Sequence, residues 1–175
     1  SYTTPPEAII LDIDDTDDRT HGAQQGTLFN GYYGEYCFLP LHLYEGQSGK
    51  LITTILRPGV RPSGVEIVMI LKRVVAYLRQ AWPSVAIFLR GDSHFSAPEV
   101  HEFCDAEKVA FVLGQGGNAV LKQKAAELLA QAQGLHRTTQ AERAAGAPDE
   151  TIRLFTSFFY QADTWEKPRR IACKV

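Results

Sequence analysis

Residues 8–18, Ala-Ile-Ile-Leu-Asp-Ile-Asp-Asp-Thr-Asp-Asp, constrain this chain more than any other stretch. An apolar run leads straight into five carboxylates within seven residues, whose mutual repulsion is a cost that a plain structural strand has no reason to carry. On a strand, side chains alternate, so Ile9, Leu11 and Ile13 face one way while Ile10, Asp12, Asp14 and Thr16 face the other. One face reads as core and the other as a site for something cationic. The simpler alternative is an edge strand running into a solvated acidic turn.

The 175 residues suit one domain with a real core, or one domain carrying an insertion. Net charge is −2, so no global basic field advertises nucleic acid, and DNA binding would need a local patch. Cys37, Cys104 and Cys173 are odd in number and far apart, which suits reduced, buried thiols better than disulfides or zinc. No apolar run approaches the roughly 20 residues needed to span a bilayer, and no signal peptide is evident, so a soluble, cytoplasmic protein without a membrane partner is expected. Both ends look cut, and a piece of something longer is expected.

Along the chain, residues 19–34 are polar and read as a long connection or splayed hairpin tip, residues 36–44 and 51–56 as antiparallel strands around a short turn. Ser63 and Glu66 stand at capping-box spacing before Ile67, Ile70, Leu71, Val74, Val75, Leu78 and Trp82, which predicts a helix with a broad apolar face. Residues 85–89 are wholly apolar, as in a strand covered on both faces. Ser96 and Glu99 repeat the capping-box spacing ahead of another helix, residues 110–113 form a short strand, and Asn118 caps a helix running to about residue 132. Residues 133–150 show no apolar period and read as a mobile loop; 151–160 and 169–175 are strand-like. The expected division is therefore a core over 1–132, a loop over 133–150 and a β-rich segment over 151–175.

Three hairpin-joined strands followed by right-handed helical crossovers give an α/β fold with a mixed sheet and its first strand central. The crossover lays the 85–89 strand parallel to the first, which brings Asp92 beside Asp14 or Asp12 at the carboxyl ends of the strands, where open α/β sheets place their ligands. Carboxylates converging from separate strands, without Cys or His at ligand spacing, make an oxygen-rich site suited to Mg²⁺ or Mn²⁺ and to phosphodiester chemistry.

Several segments together carry a resemblance: residues 11–16 (LDIDDT), Thr20-His21-Gly22 with Gln25, residues 29–36 (FNGYYGEY), Pro40-Leu41, Leu56-Arg57-Pro58-Gly59, residues 90–95 (RGDSHF), and Trp165 with Arg169-Arg170. In this order they resemble the DDE transposases of bacterial insertion sequences over nearly the whole chain. The resemblance implies a ribonuclease-H-like mixed five-stranded sheet flanked by helices, with a β-rich insertion beginning at the C-terminal end. It also implies two-metal cleavage of DNA at transposon ends, strand transfer to target DNA, and a homodimer when full-length. The family's first catalytic Asp falls on Asp14, in the Asp-x-Thr pattern with Thr16, with Asp12 an alternative on the same face; the second matches Asp92. The third carboxylate belongs to a Tyr-x2-Arg-x3-Glu-x6-Lys helix, and no Tyr here has Arg three residues later. The 175 residues alone are thus expected to bind metal weakly and not to transpose.

A rival remains, because residues 9–16 also match the Asp-x-Asp-x-Thr signature of haloacid-dehalogenase-type phosphatases, with Asp12 as nucleophile and Asp14 as general acid/base. A non-catalytic DNA-binding fragment is a third reading. Arg90, His94, His21, Arg57, Arg169 and Arg170 are candidate DNA contacts, Arg90 foremost; each histidine also suits a structural hydrogen bond. Tyr32, Tyr33 and Tyr36 could stack on bases or pack a hairpin.

Overall fold

The computed structural model describes residues 4–22, 24–142 and 151–175. The chain divides into two compact units, Ser1–Gln115 and Gly116–Val175.

In the first unit, β1 (Ala8–Asp15) is the centre of a five-stranded sheet. It pairs antiparallel with β5 (Leu41–Glu45), which pairs antiparallel with β6 (Lys50–Ile55). On its other side β1 runs parallel to β7 (Ala86–Gly91), and β7 runs parallel to β8 (Ala110–Leu113). The order β6-β5-β1-β7-β8 is the ribonuclease-H-like arrangement expected from the sequence. Helix α1 (Gly64–Ala81) makes the crossover from β6 to β7, and its start is fixed by the expected capping box between Ser63 and Glu66. Its Ile67, Leu71, Val75 and Leu78 are buried in one core with Ile9, Leu11 and Ile13 of β1, Ile87 and Leu89 of β7, and Val100, Phe103 and Cys104 of α2 (Pro98–Ala106).

Four local expectations change. The second capping box is not made: Ala97 is the N-cap of α2 with no side-chain cap, and Ser96 Oγ lies 3.1 Å from His101 Nε2 instead. Pro98 explains this, since it presets the helical φ of the first turn and brings no N–H that needs capping. β7 is not covered on both faces; Ile87 and Leu89 are buried whereas Phe88 is 43% exposed, because α1 and α2 pack on the Ile9 face alone. The strand expected over 36–44 is broken at Pro40, which has no N–H for a ladder. Its first part, β4 (Glu35–Phe38), joins β2 (Asp18–Arg19) and β3 (Leu28–Asn30) in a separate sheet of order β2-β4-β3, so residues 19–34 are not merely a connection.

The fourth change lies in the second unit. Helix α3 (Ala119–Glu142) extends ten residues into the stretch expected as a loop. Residues 133–142 mix good helix formers, Gln133, Leu135, Arg137, Gln140, Ala141 and Glu142, with the weaker Gly134, His136, Thr138 and Thr139, and the helix runs through them without an apolar period. The rest of the expected loop, 143–150, lies outside the described residues. Asn118 Oδ1 accepts the N–H of Leu121, as a cap should, and Asn118 Nδ2 donates to Tyr160 Oη. β9 (Phe155–Tyr160) and β10 (Arg169–Lys174) form the antiparallel pair expected of the β-rich segment, with Trp165 edge-on to Tyr160. None of Cys37, Cys104 and Cys173 forms a disulfide; Cys37 and Cys104 are buried as expected, and Cys173 is half-buried. Among the described residues no helix is long and apolar enough to cross a membrane.

Candidate functional site

The parallel register of β1 and β7 pairs Asp12 with Arg90 and Ile13 with Gly91. One step further along both strands come Asp14, on β1, and Asp92, just past the end of β7. Both residues therefore stand at the carboxyl ends of neighbouring parallel strands. Both residues are exposed.

Asp12 and Asp14 share a face of β1, and their partners separate them. Asp12 is held by Arg90 through both oxygens, Nε to Oδ1 at 2.6 Å and Nη2 to Oδ2 at 2.5 Å. That bidentate pair matches the planar fork of guanidinium to the carboxylate. Asp14 Oδ1 accepts only the neighbouring N–H of Asp15 at 2.9 Å, and Asp92 Oδ1 accepts the N–H of His94 at 2.8 Å. Each of these two keeps an oxygen without a hydrogen-bond partner among the described residues. Arg90, the foremost expected DNA contact, spends its guanidinium on Asp12 while staying largely exposed.

The segment after β7 is a short 3-10 turn, Ser93–Phe95, anchored by buried Phe95 and capped by Asp92 itself. Arg61 clamps this turn, its Nε donating to His94 O at 3.0 Å and its Nη2 to Ser93 O at 2.7 Å. Gly114 closes it from the β8 side; a Cβ there would stand 2.7 Å from Ser93 N and 2.9 Å from the Asp92 carbonyl carbon. Neither Arg61 as a clamp nor Gly114 as a spacer is legible in the sequence, because each acts on a turn more than twenty residues away.

A third carboxylate, absent from the sequence-based site, lies next to the pair. Asp15, whose side chain is only 4% exposed, sits on the core face and places Oδ1 3.3 Å from His94 Nδ1, while its Oδ2 is buried without a hydrogen-bond partner among the described residues. Burial pushes the Asp15 carboxyl above its ordinary value, His94 pulls it back, and the negative charges of Asp92 and Asp14 add to the rise. Negative charge from two strands therefore converges at this end of the sheet.

The remaining candidates scatter. Arg57 is buried, donating from Nη1 to Val60 O at 3.2 Å and from Nη2 to Glu66 Oε1 at 3.1 Å, so it builds the start of α1 and is not presented to a phosphate. His21 is exposed between β2 and β3. Arg169 and Arg170 lie on β10, in the second unit.

The donor set suits a hard cation: two carboxylates with open oxygens match an ion such as Mg²⁺, which keeps several waters and takes one or two carboxylates plus phosphate oxygens. Among the described residues no three His, Cys, Asp or Glu side chains come close enough together to hold a metal ion by themselves.

A family model described as "Transposase DDE domain group 1" matches residues 1–175. No curated protein matches the chain. Among solved structures, the HTLV-2 integrase catalytic core domain in complex with magnesium (dimeric form) is similar at 12% identity and a TM-score of 0.41, over 79% of this chain and 78% of that one. The catalytic core domain of BIV integrase is similar at 13% identity and a TM-score of 0.37, over 78% of this chain and 74% of that one.

Proposed function

Because the chain belongs to the transposase DDE domain group 1 family, we propose that Asp14 and Asp92 are its first two catalytic carboxylates and hold Mg²⁺ or Mn²⁺ against DNA phosphate. The observation that carries this reading is the contrast along β1: Asp14 stands open beside Asp92, whereas Asp12 is closed by Arg90. The same contrast weighs against the phosphatase alternative, in which Asp12 would need a free oxygen to attack phosphorus.

The reaction is cleavage of DNA at the ends of a bacterial insertion sequence and transfer of the freed strand to target DNA, with two ions in the complete active site. What the ions supply when bound is activation of a water or 3′-hydroxyl and stabilisation of the leaving oxygen in an in-line displacement. The chain's own residues prepare the place. Asp14 and Asp92 bind; Asp15, Arg61 and Gly114 fix the turn that carries Asp92; Arg90 neutralises Asp12 and so relieves repulsion at the pair. Arg90, His94, His21, Arg169 and Arg170 are the DNA contacts of this reading, and Arg57 is not among them.

On this reading the catalytic core is the 1–132 stretch, of which the unit Ser1–Gln115 is the main part, and the β9–β10 pair is the start of a β-rich insertion. The complete protein acts as a homodimer on transposon ends and target in the cytoplasm. No Tyr-x2-Arg-x3-Glu-x6-Lys pattern occurs in the 175 residues, so on this reading they bind metal weakly and do not transpose alone.

Calorimetric Mn²⁺ titration of the chain tests the reading. Asp14→Asn and Asp92→Asn should each weaken binding by more than the roughly 10- to 100-fold lost with outer-shell partners. Asp12→Asn should shift it no more than about threefold, the scale of an exposed ion pair. Binding indifferent to Asp92 refutes the paired site. Hydrolysis of a small phosphomonoester, lost in Asp12→Asn, would favour the phosphatase.

A further inference from the structure

We propose that the groove between the 29–33 turn and the 59–61 segment is a subsite for one unstacked nucleotide of the DNA strand held at the carboxylate pair, its base on Tyr32 and its phosphate toward Arg61. The placement beside a scissile phosphate rests on the reading of Asp14 and Asp92 given above.

The groove encloses about 260 Å³ and is lined by Phe29, Tyr32, Tyr33, Val60, Arg61 and His94 among others. One wall is aromatic and rigidly built. Asn30 Oδ1 accepts the N–H groups of Tyr32 at 2.9 Å and Tyr33 at 3.3 Å, and Asn30 Nδ2 donates to Gly59 O at 2.8 Å, so a single side chain ties the two walls together. Gly59 packs so tightly on the carbonyls of Cys37 and Leu28 that no Cβ fits. On this frame Tyr32 is 88% exposed, its ring edge-on to Tyr33 at 5.0 Å. A tyrosine serving only to pack a hairpin would be covered. This one offers a π-face to solvent from a fixed turn, the arrangement on which bases stack regardless of sequence.

The opposite wall carries N–H donors. Arg61 uses Nε and Nη2 on the carbonyls of the Ser93–Phe95 turn and keeps Nη1 without a hydrogen-bond partner among the described residues. His94 lines the groove with its Nδ1 side turned to Asp15. Its N–H is bound by Asp92, so the groove lies within one short turn of the carboxylate pair. An uncharged aromatic wall facing a guanidinium matches the two halves of a nucleotide, a flat base and an anionic phosphate. An apolar peptide would leave Arg61 unmatched, and inorganic phosphate would leave the tyrosines unused.

The test is titration of the 175-residue chain, without metal, into a short single-stranded oligonucleotide carrying one 2-aminopurine, whose fluorescence falls when the base stacks. The unaltered chain should quench it. Tyr32→Ala, a change at an exposed ring that leaves the fold intact, should weaken the interaction about 5- to 150-fold, the range measured for loss of one base–aromatic stack. Tyr32→Phe, which keeps the ring, should stay within about twofold. A blunt duplex with the 2-aminopurine paired should show no dependence on Tyr32. Absence of quenching, or equal affinity for Tyr32→Ala, overturns the subsite. Mn²⁺ titration separates the two claims: Tyr32-dependent quenching with Mn²⁺ binding indifferent to Asp92 removes the carboxylate reading and leaves the groove, and the converse removes the groove alone.

Discussion

Arg57→Met isolates the difference between a residue that touches DNA and one that holds the fold. The methionine keeps most of the apolar stem but loses the hydrogen bonds to Val60 O and Glu66 Oε1. Glu66 is 45% exposed, so the ion-pair part is screened to about 1 kcal/mol or less. The bond from the buried guanidinium to the Val60 carbonyl is worth about 1.5 kcal/mol, at the low end for a charged hydrogen bond. The expected loss is therefore about 2.5 kcal/mol. With a urea slope of roughly 1–3 kcal/mol per molar, the unfolding midpoint followed by circular dichroism should fall by about 0.8–2.5 M. If the midpoint stays where it was and DNA affinity drops instead, Arg57 is a phosphate contact and does not hold the start of α1.

Three further perturbations follow from the same geometry. Hydrogen bonds from Ser63 N–H and Arg57 hold the Glu66 carboxyl below its ordinary value, so its contribution is full above the ordinary carboxylate range and is lost as pH falls through the depressed folded value; Glu66→Gln should flatten the acid limb of a stability–pH curve and leave it unchanged if Glu66 is not coupled to folding. Gly114→Ala should cost about 1–3 kcal/mol by overpacking and weaken Mn²⁺ binding by displacing Asp92, whereas Gly116→Ala, whose added Cβ would meet nothing within 4 Å, should do neither. Asn30→Ala removes the tie between the groove walls and should cost about 1–2 kcal/mol in thermal or urea unfolding; an unchanged midpoint would mean the turn is held by its strands alone.

The central sheet was legible because its signals are local. Alternation in β1, the capping box of α1 and the short apolar run of β7 each fix an element, and one handedness rule orders them. That Arg90 takes both oxygens of Asp12 and leaves Asp14 open was not, since both point the same way and only the parallel register gives Asp12 to Arg90. Arg57 misled for a similar reason: its burial depends on Glu66 and on a turn that brings Val60 back over it. Asp15 was hidden by alternation itself, which assigns it to the core face, where a carboxylate is expected only if something such as His94 meets it. The C-terminal part of α3 was not legible because residues 133–142 carry no apolar stripe and include Gly134, Thr138 and Thr139, which favour a helix only weakly.

Paramagnetic broadening of the amide spectrum by sub-stoichiometric Mn²⁺ tests the paired-carboxylate claim most directly, since it maps the ion without requiring turnover. The account predicts that the amides of Asp14, Asp15, Asp92 and Ser93 broaden first, and that the effect vanishes in Asp92→Asn while persisting in Asp12→Asn. Broadening centred on Asp17 and Asp18, or surviving Asp92→Asn, would contradict it.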